Sequence, residues 1–225
     1  MEYIPRLYDF LDGLSRNNDR PWFQAHKEEF QRHLKEPFDA LARDTHAEML
    51  RRHPDGGYKL HISRIYRDAR RLFGRGPYKD HLWFSLKTWD GLLRGPMFWF
   101  ELGAAEYSYG MGFYSASPAQ MEAYRAAIDA NPAFMEGLAQ RLRDQSEFRL
   151  TGEPYKRPRA DRGELLNPWY NRKWVGIECS HDFGGPILTP DLPQLLCDGF
   201  DWLMPYYEFL CRFCTADQRQ PRPNR

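Results

Sequence analysis

Cysteine is scarce in this chain of 225 residues, and its four copies, Cys179, Cys197, Cys211 and Cys214, crowd into roughly the last fifth. They are too few and too clustered for a disulfide framework, so reduced, mostly buried thiols are expected. Long apolar runs are missing too. No stretch approaches the roughly 18 uncharged residues that a membrane span requires. The opening Met-Glu-Tyr-Ile-Pro-Arg lacks the basic-then-apolar pattern of a secretory signal. A cytoplasmic protein with no membrane partner is the expectation. Familiar reaction motifs are absent as well: there is no phosphate loop, no His-Glu-x-x-His and no Gly-x-Ser-x-Gly. Gly74-Arg-Gly76 and Gly110-Met-Gly112 lack the third glycine of a dinucleotide fingerprint and read as turns.

Metal and redox chemistry find little support. Cys211-Arg-Phe-Cys214 has no second pair at zinc spacing, and it ends an apolar helix instead of starting one. Buried structural thiols are expected there. His26 and His33, like His46 and His53, are seven residues apart. Two helical turns separate such a pair by about 10 Å, too far for a shared ion. No metal and no cofactor are expected.

The chain does have the means to fill a core: 42% of its residues are hydrophobic and 16% aromatic. Its patterning gives an α+β class. Helical spacing covers 3–14, the segment after Asp19-x-Pro21, and the stretch beyond Pro37 to about Arg52. Pro37 marks a break or a new start. Alternation over Lys59–Ile65, Leu82–Lys87, Met97–Leu102 and Tyr107–Phe113 predicts an antiparallel meander, with 66–81 a loop. Ser117-Pro118-Ala119-Gln120 is a capping box for a middle helix, and Asn131-Pro132 starts another. Glu147–Leu150 and Lys173–Cys179 read as further strands, with 152–172 irregular. A final helix opens at Thr189-Pro190 and carries Pro205. The meander is expected to pack against N-terminal, middle and C-terminal helices in one domain, 1–215, followed by a disordered polar tail, 216–225.

Net charge is only +1, yet it is segregated. Residues 59–81 hold seven cations (Lys59, Arg64, Arg67, Arg70, Arg71, Arg75 and Lys79) against Asp68 and Asp80. Residues 155–173 hold six (Lys156, Arg157, Arg159, Arg162, Arg172 and Lys173) against Asp161 and Glu164. The remainder is acidic. Guanidinium forks match phosphate and carboxylate oxygens, and Tyr78 and Tyr155 add stacking area beside them. The bland alternative is that Arg67 and Asp68 form salt bridges holding a long loop together.

These segments also carry a resemblance. Asn17-Asn18-x-x-x-Trp22-Phe23, Arg64-Ile-x-Arg67-Asp68-x-Arg70, Pro77-Tyr78-Lys79, Gly112-x-Tyr114-x-x-x-Pro118 and Gly152-Glu-x-x-Lys156-Arg157-x-Pro are collinear. Together they resemble a bacterial family known as domain of unknown function 2461. The likeness implies a shared fold over roughly 5–215 and a cytoplasmic location, and assigns no activity.

Three functions compete. In the first, Arg64, Arg67, Arg70, Tyr78, Lys79, Lys156 and Arg157 bind a compact anion, phosphate- or carboxylate-bearing. Nucleic acid is less favoured, because non-specific binding rests on many phosphate contacts. In the second, a metal-free hydrolase or transferase uses the same surface. Asp68 or His81 is then the acid or base, Tyr78 the proton donor, and Lys79 and Arg67 the anion stabilisers. In the third, exposed aromatic residues recruit a protein partner.

Overall fold

The computed structural model describes residues 7–68, 70, 72, 74–88, 95–182 and 184–214. The tail expected from 216 lies outside these residues. The N-terminal helices follow their sequence signals closely. α1 (Leu7–Arg16) buries Phe10, Leu11 and Leu14 on one face. It runs past Gly13, whose carbonyl accepts the Asn17 N–H at 3.1 Å. The Asp19 carboxylate caps α2 (Arg20–Ala25) by accepting the Trp22 N–H at 2.8 Å. α3 (Lys27–Phe30) leads through a wide π turn, Gln31–Lys35, into α4 (Glu36–Arg52). Pro37 is therefore a new start and not a break, standing in the first turn of α4. It lacks an N–H and its ring crowds the carbonyl four residues back, and the wider π turn sits where that conflict falls.

The sheet has six strands and is antiparallel: β1 (Lys59–Ile62), β2 (His81–Lys87), β3 (Pro96–Gly103), β4 (Glu106–Phe113), β5 (Arg149–Thr151) and β6 (Gly176–Asp182). Their order is β1-β2-β3-β4-β6-β5, so the expected meander is present and β6 is inserted before β5. Between β4 and β6 come α5 (Pro118–Ala130), α6 (Pro132–Arg143) and α7 (Gly163–Tyr170). The Ser117 hydroxyl accepts the Gln120 N–H at 3.2 Å while the Gln120 side chain accepts the Ser117 N–H at 2.8 Å. The Asn131 side chain accepts the Phe134 N–H and starts α6. α8 (Leu192–Cys211) closes the described chain with Pro205 inside it. No helix among the described residues is long and apolar enough to cross a membrane.

One expectation is sharpened and one corrected. The described residues of 66–80 form a loop, as expected, but one closed by pairing between its arms. Beyond β1 the two arms stay zipped: Ser63 N–H to Trp83 O, Lys79 N–H to Ile65 O and Arg67 N–H to Pro77 O, with Tyr66 bridging Tyr78 antiparallel. Pairing between residues distant in sequence holds these arms together, and no local periodicity announces it. Residues 152–172 are not wholly irregular, because α7 lies within them. Pro168 inside α7 argues against a helix on propensity. The Asp161 carboxylate offsets this at the start of the helix by accepting the Gly163 N–H and the Asn167 amide.

The described residues gather into two compact units, each drawn from three separate stretches of chain. The first takes them from Met1–Leu86, Trp99–Tyr109 and Ser180–Gly199. Its core stacks Phe38, Phe84 and Phe100, with ring centroids 5.5–6.2 Å apart, and Leu41, Met49 and Leu196 are buried as well. The second takes them from Lys87–Phe98, Gly110–Cys179 and Phe200–Arg225. Its core holds Phe98 against Phe200 and Tyr207, and Trp169 against Tyr206.

Candidate functional site

In the first unit the zipped arms of 63–83 end in a turn seated on the N-terminal helices. Asn18 makes the joint. Its side-chain amide donates to Tyr78 O at 3.0 Å, and its side-chain oxygen accepts the Tyr78 N–H at 3.0 Å. Gly76 approaches so closely that a Cβ there would lie 2.4 Å from the Asn18 carbonyl oxygen. The Tyr78 ring is buried and stacks on Phe23 at 4.1 Å, while Tyr66 meets both rings from the exposed side. Burial first of all pushes the Tyr78 hydroxyl upward, so it stays protonated.

Arg67 is built into this joint. Its Nε donates to Tyr78 O at 2.7 Å, sharing that carbonyl with Asn18, and its Nη2 reaches Asp80 at 3.1 Å. Asp80 also receives His81 Nδ1 at 2.9 Å. Burial raises the Asp80 carboxyl, but the His81 hydrogen bond and the neighbouring charges bring it below the usual range. The Lys79 ammonium donates to Arg64 O and lies 5.9 Å over the Trp83 ring. Burial and the adjacent Arg67 charge hold Lys79 below the ordinary lysine range. Arg70 turns back on Asp68 with two guanidinium contacts.

Beside the joint opens a cleft of about 340 Å³, lined by Arg20, Gln24, Tyr66, Arg67, Leu72, Pro77 and Tyr78. Of the expected ligand-binding residues, Arg67 and Tyr78 line it. Arg64, Arg70 and Lys79 lie on the same arms but outside the lining. Of the expected acid–base residues only Tyr78 lines it, since Asp68 is engaged by Arg70 and His81 by Asp80. Two cleft residues escaped the sequence reading. Arg20 and Gln24 stand one helical turn apart on α2, both exposed and both without a hydrogen bond or ion pair among the described residues. Their i, i+4 spacing beside Asn18 was the available signal.

Lys156 and Arg157 belong to the second unit. Both are exposed and have no ion pair among the described residues. Their segment is nonetheless fixed. Tyr155 N–H donates to Asn171 O at 2.9 Å, and the Asn171 side-chain oxygen accepts the Arg159 N–H at 2.6 Å. Arg172 clasps the carbonyls of Pro168 and Gly152, and burial lowers its guanidinium from the usual arginine range.

Across nearly its whole length the sequence matches one family model, described as Conserved hypothetical protein (DUF2461), over residues 6–209. The chain belongs to that family. No curated protein matches it. The resemblance carried by Asn17-Asn18, Arg64-x-x-Arg67 and Pro77-Tyr78-Lys79 thus has a physical counterpart. In this DUF2461 chain those three segments meet at the Tyr78 carbonyl.

The cysteines divide. Cys179 and Cys197 are buried, whereas Cys211 and Cys214 are only half-buried, against the expectation of a sealed pair. Cys214 donates a hydrogen bond to Cys211 and lowers that thiol, and the same contact pushes Cys214 up. His26 Nδ1 lies 2.8 Å from Trp22 O and His46 Nε2 lies 2.7 Å from Tyr58 O.

Proposed function

We propose that this protein binds a compact anionic ligand, carboxylate- or phosphate-bearing, in the cleft between α2 and the zipped arms of 63–83. The observation that carries this reading is the pairing of two unlike arginines on one cleft of about 340 Å³. Arg67 is fixed by Tyr78 O and Asp80, so its remaining N–H groups are presented without further ordering. Arg20 has no partner among the described residues and is available to close on a ligand. Tyr66, 53% exposed, offers a ring face and a hydroxyl at the rim. The volume suits a metabolite-sized molecule and not a duplex. Binding is favoured over turnover because the acid–base candidates Asp68 and His81 are committed to other side chains.

A thermal-shift screen against phosphorylated metabolites and dicarboxylates tests the proposal. A ligand at about 100 times its dissociation constant stabilises by about 2.7 kcal/mol. The Arg20→Ala variant should melt like the parent without ligand and lose that stabilisation. A hit that survives Arg20→Ala undiminished would move the ligand elsewhere.

A further inference from the structure

Arg125 occupies a position where an arginine is out of place. On α5 the buried face runs Met121, Tyr124, Arg125 and Ile128, the spacing of an apolar stripe. Arg125 is 8% exposed, and its Nη1 is sealed from solvent with no hydrogen-bond partner. Its guanidinium makes no ion pair among the described residues. A buried charge without a partner is strongly unfavourable, so structures rarely retain one.

Among the described residues, neighbouring carboxylates are hydrogen-bonded to other groups. Asp129, one turn along α5, has its oxygens taken by Arg162 Nε at 2.7 Å and Tyr170 OH at 2.9 Å. Glu153 binds Lys173, and Asp161 binds the Gly163 N–H and the Asn167 amide. What does lie against Arg125 is the Tyr155 ring, 5.7 Å from Cζ to centroid. A second guanidinium, that of Arg159, sits 4.5 Å from the same ring. Two like charges on one ring repel, and neither makes an ion pair among the described residues; the Asp129 carboxylate feels Arg125 only beyond ion-pair distance. Lys156 and Arg157 add two more uncompensated cations between them in sequence. The backbone of this run is already fixed by Asn171, so the cations are held in place before any ligand arrives.

We infer that Arg125 and Arg159, flanking Tyr155, form a second anion site in the other unit, one that takes a phosphate-type dianion. Guanidinium forks match tetrahedral oxyanions in two-point contacts. A nucleobase is not the target, because the Tyr155 ring already carries two guanidinium groups and is not left as a stacking platform. The site goes beyond the cleft proposed above and shares no residue with it.

Isothermal titration of inorganic phosphate into the full chain at low salt tests this, with a short single-stranded oligonucleotide as a parallel arm. Saturable phosphate binding is expected. Its Kd should rise at least tenfold in Arg125→Lys, which keeps the charge and loses the fork. The same rise is expected in Arg159→Ala, whose exposed side chain can be removed without unfolding the protein. Arg20→Ala should leave this Kd unchanged, which separates the two sites. Phosphate binding that ignores Arg159→Ala, or is abolished by Arg20→Ala, would overturn the assignment. So would oligonucleotide binding with no phosphate binding, which would make the surface a polyanion strip.

Discussion

The two basic segments look alike in sequence: each mixes arginine, lysine, proline and tyrosine behind a glycine. Their cations are nevertheless engaged to different degrees: in the second segment Arg162, Arg172 and Lys173 are bonded, whereas Lys156, Arg157 and Arg159 make no ion pair among the described residues. Around Tyr78, Arg67 serves a carbonyl and Asp80, Arg70 serves Asp68, and Lys79 serves the Arg64 carbonyl. Only Arg64 among the five candidates there keeps a side chain without a partner among the described residues. Around Tyr155, Arg125, Lys156, Arg157 and Arg159 make no ion pair among the described residues. Charge density therefore does not distinguish structure from binding. What distinguishes them is whether acceptors are supplied alongside, and in the first segment the carbonyls of Tyr78 and Arg64 and the carboxylates of Asp68 and Asp80 supply them.

The largest test of this contrast is a tyrosine swap. Tyr78→Ala should destabilise by about 3–5 kcal/mol in urea unfolding, since it empties a buried stacked position. Tyr155→Ala, at a half-buried ring, should cost much less. Equal losses would erase the distinction. The arginines come next. Arg67→Ala should cost about 1–3 kcal/mol by orphaning contacts at Tyr78 O and Asp80. Lys156→Ala and Arg157→Ala should each stay within about 0.5 kcal/mol, as surface changes do. A large loss from either would mean that the second segment is structural too.

Salt gives a smaller effect. Raising ionic strength from 50 to 500 mM should weaken phosphate binding at Arg125 several-fold, because the exposed cations nearby are screened. The unliganded melting temperature should barely move. Acid gives the smallest. Asp129 is held below the usual carboxylate range by Arg162 first and then by the Tyr170 hydroxyl. A carboxyl depressed on folding stabilises above its unfolded value and loses that contribution as pH falls through the folded one. Unfolding midpoints should therefore decline below about pH 4, and Asp129→Asn should flatten part of that decline. An unchanged acid limb in Asp129→Asn would show the pair with Arg162 to be idle.

Local chemistry was the legible part of the fold. The Asp19 cap, the Ser117–Gln120 box and the Pro132 start each act over three or four residues, and each is where the spacing put it. The antiparallel strands were readable from alternation. What escaped depended on distant partners. The arms beyond Ile62 pair where Ser63 meets Trp83, Ile65 meets Lys79 and Tyr66 meets Tyr78, and α7 persists through Pro168 with Asp161 and Asn171 binding its ends. At the cleft, Arg67 and Arg70, both visible in the sequence, are bonded inward. Arg20 and Arg125 were overlooked because each is a single charge within a helix. A cation at a core position of the 121–128 stripe was a signal present in the sequence all along.

The Tyr78 carbonyl, shared by a residue eleven positions before it and another sixty before it, also sets an order of assembly. The Arg67 contact closes a short loop and can form as soon as the arms meet. The Asn18 contact must wait for a far longer segment to be enclosed, and such non-local contacts slow folding. α2 leaves the ribosome before the arms of 63–83, so it cannot find its seat until they are made. Until it does, the Tyr78 ring stands uncovered by Phe23.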